Sequence, residues 1–587
     1  MYDTLYSSNY FTNFFSSTLF IFLIICNSFV LSSLIKNNNI KLFGDFSTII
    51  LFFITFLFFS IIFNILLIFD QHSLFRQITY FFTFLILIFI TINFKYIKNL
   101  PYIISQHFLK SNFTTKIIAI VFGIFFFISI LPISDADSIA LHNYFSSFIF
   151  SNGLSNLDII RFFEFSLFTN SEILLLFSPI LKSDNFGAQL NLITFFLFFL
   201  LKYKSNHNFF LFVISCPLII FFISTQKLQL FFSILFLILF ILVHERLIKN
   251  KIEILFFTLL LFFYISGKLS YILIGGPLLI YFFFTNLKHH KFILISSLVS
   301  SSLTLFPILY LKYSNFGNPF LPFLDKYFLD RSIMEGFVIS VRSSEGWMFN
   351  LKDIKIFLKP FIPMSLGALT NSLGILLLLF LFNFSLLKRI YFFPFIIILL
   401  VVSTGQLLPR YYFESFLLLA FFYKQKKSLI VKYITYSQLF AVIIFSVTFI
   451  IISYVGEKVF LSKEAFMNRF SYSYYNSKNL NKLNIQENTL SFSLDRNSLF
   501  IDEKFYPTRH LNSIYFVNKD KDNNLVNYLK DNSIKYLILD NNQKIPSCIS
   551  VFKIDEIYQK KSIRNFLIKN KKKKFELYKI LKNKCNL

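Results

Sequence analysis

A mainly α polytopic bundle of transmembrane helices, with a small external α/β domain at its C-terminal end, is the fold class this sequence predicts. Three observations predict it. Of 587 residues, 56% are hydrophobic and 15% are charged, and the mean hydropathy is +0.64; a soluble chain carries about 25% charged residues. The apolar residues fall in long runs without the alternation of barrel strands, so helices are favoured. Lys and Arg gather in every second connection between the runs, as the positive-inside bias requires. Disorder is excluded by the apolar content, and 14 Gly, 14 Pro and 4 Cys exclude a collagen-like or disulfide scaffold.

In chain order, candidate spans cover 14–34, 47–69, 78–94, 117–133, 186–201, 209–224, 228–243, 252–265, 270–284, 292–311, 361–387, 390–402, 407–423 and 433–454. Several are shorter than the roughly 20 residues a perpendicular helix needs, so about 12 to 15 spans are expected. The first run follows a polar stretch with no Lys or Arg and no small-residue cleavage site. It is read as a retained span, not a signal peptide.

The basic loops hold Lys36 and Lys41, Lys95, Lys98 and Lys110, Lys202 and Lys204, Arg246, Lys249 and Lys251, Lys288 and Lys291, Lys388 and Arg389, and Lys424, Lys426, Lys427 and Lys432. They are assigned to the cytoplasm. Both termini and the loops 134–185 and 312–360 are then expected on the outer side. Three regions result: N-terminal helices 1–133, a transmembrane region 134–455 with those two outer loops, and an external soluble domain 456–587. Segment 457–587 holds 25 Lys+Arg and 13 Asp+Glu. It reads as a small α/β domain, with a helical stretch over 524–531, the apolar run 534–539, the stretch 548–552, and a closing basic helix. The Lys571–Lys574 run has no recognition motif beside it, so nucleic acid is not an expected partner; anionic membrane lipids are. Cys26 and Cys216 lie inside spans. Cys548 and Cys585 pair if their compartment is oxidising, which the sequence leaves open. No CxxC, HExxH, Walker or GxGxxG motif is present.

Chemistry-bearing residues concentrate in the outer connections. Asp135 and Asp137 are two apart and His142 follows, at the end of the fourth span. Carboxylates this close suit a general base or a metal site, or cap the next helix through an Asx turn. Glu172 opens the apolar run 173–177, too short to span, and either caps a short helix there or joins the Asp cluster. The other short outer loops hold only Arg76, Lys227, Lys268 and Arg410. Cations placed against the charge bias mark ligand pathways. Lys227, Lys268 and Arg410 beside two carboxylates suggest an anionic substrate group such as a lipid phosphate. In loop 312–360 Trp347, the sole tryptophan, suits the membrane interface.

The stretch Asp135-Ala136-Asp137-Ser138, then Leu141-His142, then Ser151-Asn152-Gly153, resembles the first active-site loop of C-type (GT-C) glycosyltransferases. Similar elements follow in order: Glu172-Ile173-Leu174, Lys227-Leu228-Gln229-Leu230, Gly317-Asn318-Pro319 and Arg410-Tyr411. The resemblance runs from Asp135 to Tyr423 and is closest to bacterial members with extra N-terminal spans. It implies an inverting enzyme of the bacterial inner membrane with its active site at the outer face. A sugar would pass from a polyprenyl-phosphate donor to a glycan, lipid or protein acceptor. Asp135 or Asp137 takes the place of the family's general base. Arg410 with Tyr411, then Lys227 and Lys268, take that of the phosphate-binding groups, with His142 and Glu172 also lining the substrate. Mg²⁺ or Mn²⁺ at Asp135 and Asp137 is the one cofactor the resemblance allows. The chain departs from the family in having Ala140 where an aromatic commonly precedes Leu-His, and in placing the loop after the fourth span instead of the first.

Three other classes compete. A transporter or lipid flippase would place polar groups at the bilayer midplane in related halves, whereas the ionisable residues here lie at one face and no repeat is visible. An outer-leaflet polysaccharide polymerase or ligase would share the Arg and the outer loops, and the Asp-Ala-Asp loop argues against it. A scaffold presenting the C-terminal domain would leave the outer cluster without a role.

Overall fold

The computed structural model describes residues 5–6, 10–38, 42–98, 113–155, 165, 167–202, 207–321, 324–328, 361, 372–377, 392–403, 408–423, 429–455, 463–471, 474–493, 499–502, 504–507, 521–540, 545–559 and 573–583. The protein is mainly helical with a small C-terminal sheet. Among the described residues four helices are long and apolar enough to cross a membrane: Thr12–Asn37, Gly44–Ile68, His72–Ile92 and Leu429–Tyr454. A fifth counts if Leu269–Thr285 and Leu287–Thr304, bent by 92° at their junction, form one span. Shorter apolar helices fill the interior. Every residue from Gln229 to Val243 is buried, so the Gln229–His244 helix is central. Phe81, Phe84, Ile88 and Ile92 of the peripheral Phe75–Ile92 helix face outward, as lipid-facing side chains do.

Two expected spans are broken, each at proline. The run 209–224 forms two helices, His207–Ile214 and Leu218–Ile223, separated at Pro217. Proline removes an amide and clashes with the preceding turn. Other segments satisfy the freed groups: the Leu218 amide donates to the Ser372 carbonyl at 3.1 Å, and the Gln438 side chain donates to the Ser215 carbonyl at 2.9 Å. Likewise the run 292–311 divides into His290–Thr304 and Phe306–Phe316, with Pro307 in the first turn of the second. The expected span 361–387 lies largely outside the described residues, as do Trp347 and most of loop 312–360. The run after Glu172 is buried among helices. The Phe177 ring packs against Phe20, Phe59 and Phe63 at 4.7, 5.1 and 5.2 Å.

Asp184 gathers several segments at one end of the bundle. Its carboxylate accepts from Asn13 Nδ2 at 2.5 Å and pairs with Lys463 Nζ at 3.2 Å. Its carbonyl accepts from Asn143 and from the Gln226 side chain. Tyr6 and Ser147 share a hydrogen bond of 2.8 Å nearby in the chain. The N-terminal stretch, the acidic loop, the Lys227 loop and the start of the C-terminal region therefore share one face. At the other end, buried Glu253 caps its own helix and accepts from the Phe43 amide at 3.0 Å.

The C-terminal region opens with helices Lys463–Phe470 and Tyr474–Asn481, whose Phe466, Met467, Phe470 and Tyr474 join the bundle core. A five-stranded mixed sheet follows, with strands β1 (Thr489–Ser491), β2 (Phe505–Pro507), β3 (Tyr536–Asp540), β4 (Ile549–Gln559) and β5 (Lys573–Asn583). Their order is β2-β1-β3-β5-β4. The helix Lys521–Asp531 precedes β3, as expected. The expected closing basic helix is instead β5. Phe575 and Leu577 are buried while Lys574 and Glu576 are only partly so, the period-two pattern of a strand. Cys548 is disulfide-bonded and Cys26 and Cys216 are free; Cys585 lies outside the described residues.

Breaking the buried Asp184–Lys463 pair from one side should cost about 3–5 kcal/mol, because the remaining charge is stranded. Unfolding of the detergent-purified Asp184→Asn and Lys463→Met variants measures this. The double variant should lose less than the sum of the two.

Candidate functional site at the Asp184 end

The eight residues singled out in the sequence are all described, and they lie together at the Asp184 end. Asp135 and Asp137 are no longer equivalent. The Ser138 amide donates to Asp135 Oδ2 at 2.8 Å, so Asp135 caps the turn that follows. Asp137 Oδ2 lies 2.6 Å from Lys227 Nζ. After them the backbone widens into a π-type turn over Ser138–His142, then continues as the helix Asn143–Asn152. That helix stops at Gly153, whose φ of +72° suits glycine.

Lys227 is placed by backbone contacts on both sides. The Gln226 amide donates to Ser138 Oγ at 3.0 Å, and Asn191 Nδ2 donates to the Lys227 carbonyl at 2.7 Å. The Gly187 amide donates to Gln226 Oε1 at 2.6 Å. A Cβ at Gly187 would stand 2.6 Å from the Gln226 carbonyl oxygen, so only glycine permits this approach.

From Lys227 the contacts run on through aromatic rings. Lys227 Nζ lies 4.9 Å from the Phe221 ring centre, and the Arg410 guanidinium lies 5.8 Å from the same ring. Arg410 sits 5.1 Å from the Tyr411 ring, and Lys268 Nζ lies 4.0 Å over that ring. Arg410 belongs to the short turn Pro409–Tyr412, whose Arg410 carbonyl accepts from the Gln229 side chain at the start of the central helix. Lys268 follows the end of the helix Lys251–Gly267 in extended conformation. The neighbouring Gly267 carbonyl is 2.7 Å from Thr169 Oγ1, which also lies 2.6 Å from Glu172 Oε2. Glu172 Oε1 in turn lies 3.0 Å from His142 Nδ1. One continuous set of contacts thus joins Asp137, Lys227, Arg410, Tyr411, Lys268, Glu172 and His142.

Of the two roles the sequence left open, Glu172 takes the cap. With Thr169 it forms a capping box, and it also pairs with His142. Burial pushes its carboxyl up, but the His142 ring and the Thr169 and Ser171 hydroxyls outweigh this and hold it below the usual carboxylate range. Lys268 is pushed down to about 7, first by loss of water and then by the Arg410 and Lys227 cations.

Two charged residues beside this set did not stand out in the sequence. Glu414 is fully buried one turn after Arg410, and Ser233 Oγ donates to its Oε1 at 2.8 Å. Lys312 is also fully buried. It donates to the Leu321 carbonyl at 2.9 Å and stands 5.6 Å from the Phe168 ring. Glu414 carried a signal, an acid inside the apolar run 411–422, of the kind that marks function in a membrane. Lys312 sits at a span boundary, where a lysine reads as an ordinary end.

At the Asp loop one oxygen of each carboxylate already has a partner. Asp135 is turned to the Ser138 amide, and the Lys227 ammonium takes the bonding position at Asp137. Among the described residues no three His, Cys, Asp or Glu side chains converge as a metal site.

No family model matches the chain, and no curated protein or solved structure matches it either.

The depressed Lys268 has a consequence for stability. Between about pH 7 and its unfolded value near 10.5, the unfolded chain binds the proton that the folded chain has released. Stability should therefore rise with pH above about 7 through this group. Melting temperatures from pH 6.5 to 9 test this, and Lys268→Met should flatten that part of the profile.

Proposed function

We propose that this chain is a membrane-embedded glycosyltransferase. It moves a sugar from a polyprenyl-phosphate carrier to a hydroxyl of a glycan, lipid or protein acceptor. The observation that carries this reading is the contact run Asp137–Lys227–Phe221–Arg410–Tyr411–Lys268, which holds three cations beside a carboxylate on one face. Cations so gathered have no mutual attraction to hold them, and they favour a bound anion. Arg410 offers a planar fork of donors for phosphate oxygens, and Lys227 and Lys268 add point charges. They stabilise the phosphate as it leaves, so the departing group needs no strong acid. The outer loop 134–185 supplies the proton acceptor, with Asp137 as its carboxylate nearest the cations. No step runs through a metal.

In this reading the bundle spans the bacterial inner membrane about 12 to 15 times, with the Asp184 end and both termini outside. The apolar outer face of the Phe75–Ile92 helix and the disulfide-bonded Cys548 support a membrane protein whose C-terminal domain meets an oxidising compartment. The polyprenyl chain of the donor would lie in the lipid beside the bundle.

Sugar transfer from polyprenyl-phosphate-linked donors in membranes carrying the protein is the direct test. Arg410→Ala should lower kcat/KM for the donor by about 10²–10³-fold, and Lys227→Met and Asp137→Asn by tenfold or more. Full activity in Asp135→Asn, Asp137→Asn and Arg410→Ala together would remove the reading. Orientation is tested by labelling Ser151→Cys, an exposed position of the same loop, in intact cells. Reagent confined to the outside should reach it, and labelling from the cytoplasm alone would invert the topology.

A further inference from the structure

The His142–Glu172 pair has an arrangement that phosphate binding does not use. Glu172 Oε1 faces His142 Nδ1 at 3.0 Å, while its second oxygen accepts from the Thr169 amide at 2.8 Å. An ionised carboxylate only accepts hydrogen bonds. Nδ1 therefore carries the ring proton, and the lone pair is left on Nε2. Nε2 makes no hydrogen bond among the described residues, and the side chain keeps 12% exposure. Asp137 differs: protonating it would break its 2.6 Å ion pair with Lys227. Protonating His142 instead creates an imidazolium already paired with a carboxylate.

We infer that His142, oriented by Glu172, is the proton acceptor for the incoming acceptor hydroxyl, and that Asp137 serves to hold Lys227 toward the donor phosphate. This rests on the glycosyl-transfer reading and assigns one role within it. In the step, the acceptor O–H bond breaks and its proton goes to His142 Nε2. The acceptor oxygen forms a bond to the anomeric carbon as the bond from that carbon to the phosphate oxygen breaks. That electron pair leaves on the polyprenyl phosphate, beside Arg410, Lys227 and Lys268. The imidazolium then returns its proton to water. His142 is the catalytic residue of the step, and Glu172 is a positioning residue.

Other charged and titratable groups face the pair from neighbouring elements. Lys268 and Tyr271 lie beyond the end of the helix Lys251–Gly267, and Lys312 is in Phe306–Phe316; each feels the Glu172 charge. Lys268 titrates near the same pH as a histidine. The pH profile therefore has to be read both in the wild type and in a Lys268→Met background.

The experiment uses full-length protein in membrane vesicles, radiolabelled undecaprenyl-phosphate hexoses as donors, and the native membrane acceptor. His142→Gln should lower kcat by about 10²–10⁴-fold, leave donor binding within about threefold, and abolish the acid limb of the kcat profile. Glu172→Gln preserves the capping box, so it spares the helix start. It should lower kcat at least tenfold with donor binding within about threefold, because the ring loses the carboxylate that fixes its tautomer. Glu172→Asp should recover part of the loss. His142→Gln at wild-type activity would overturn the inference while leaving glycosyl transfer intact, and so would a parallel loss of donor binding. Absence of transfer by the wild type from every donor would overturn both.

Discussion

In an apolar surrounding, each charge and each backbone polar group must find its partner inside the protein. Asp184 is where this constraint organises the molecule. Its side chain and carbonyl serve Asn13, Asn143, Gln226 and Lys463, which come from four distant parts of the chain. A carboxylate buried to 1% exposure is tolerable only because those partners arrive together. Their arrival fixes the loops that carry Asp137 and Lys227. Ser138 and Gln226, adjacent to Asp137 and Lys227, are bonded directly to each other, so the ion pair inherits its geometry from the neighbouring backbone.

The second organising feature is the use of rings between like charges. Phe221 stands between Lys227 and Arg410, and Tyr411 between Arg410 and Lys268. Each π face attracts both cations it separates, which offsets part of their repulsion without neutralising them. Lys227 is paired with Asp137 as well. The carboxylates Glu172 and Glu414 stand further back, each held by hydroxyls, and they balance the field from the protein side.

Much of this was legible in the sequence because it follows from simple periodicity and charge bias. The apolar runs at 47–69 and 228–243 reappear as the helices Ser47–Ile68 and Gln229–His244. That Asp137, Lys227, Lys268 and Arg410 lie at one end followed from which loops carry few cations. Pairing was not legible: nothing in the spacing of Asp135 and Asp137 tells which one caps a turn and which meets Lys227. Helix breaks at Pro217 and Pro307 were obscured because hydropathy sums over proline without registering its missing amide. The strand β5 was mistaken for a helix because its lysines masked the alternation of Phe575 and Leu577. The meaning of Lys312 depends on which segments fold over it, whereas Glu414 carried a signal as an acid inside the apolar run 411–422.

The meeting of Tyr6, Asn13 and Lys463 around one face also constrains the topology in a way that no hydropathy count supplies. A chain whose two ends leave a slab on the same side crosses it an even number of times. On the reading of this bundle as membrane-spanning, the number of crossings between Asn13 and Lys463 is therefore even.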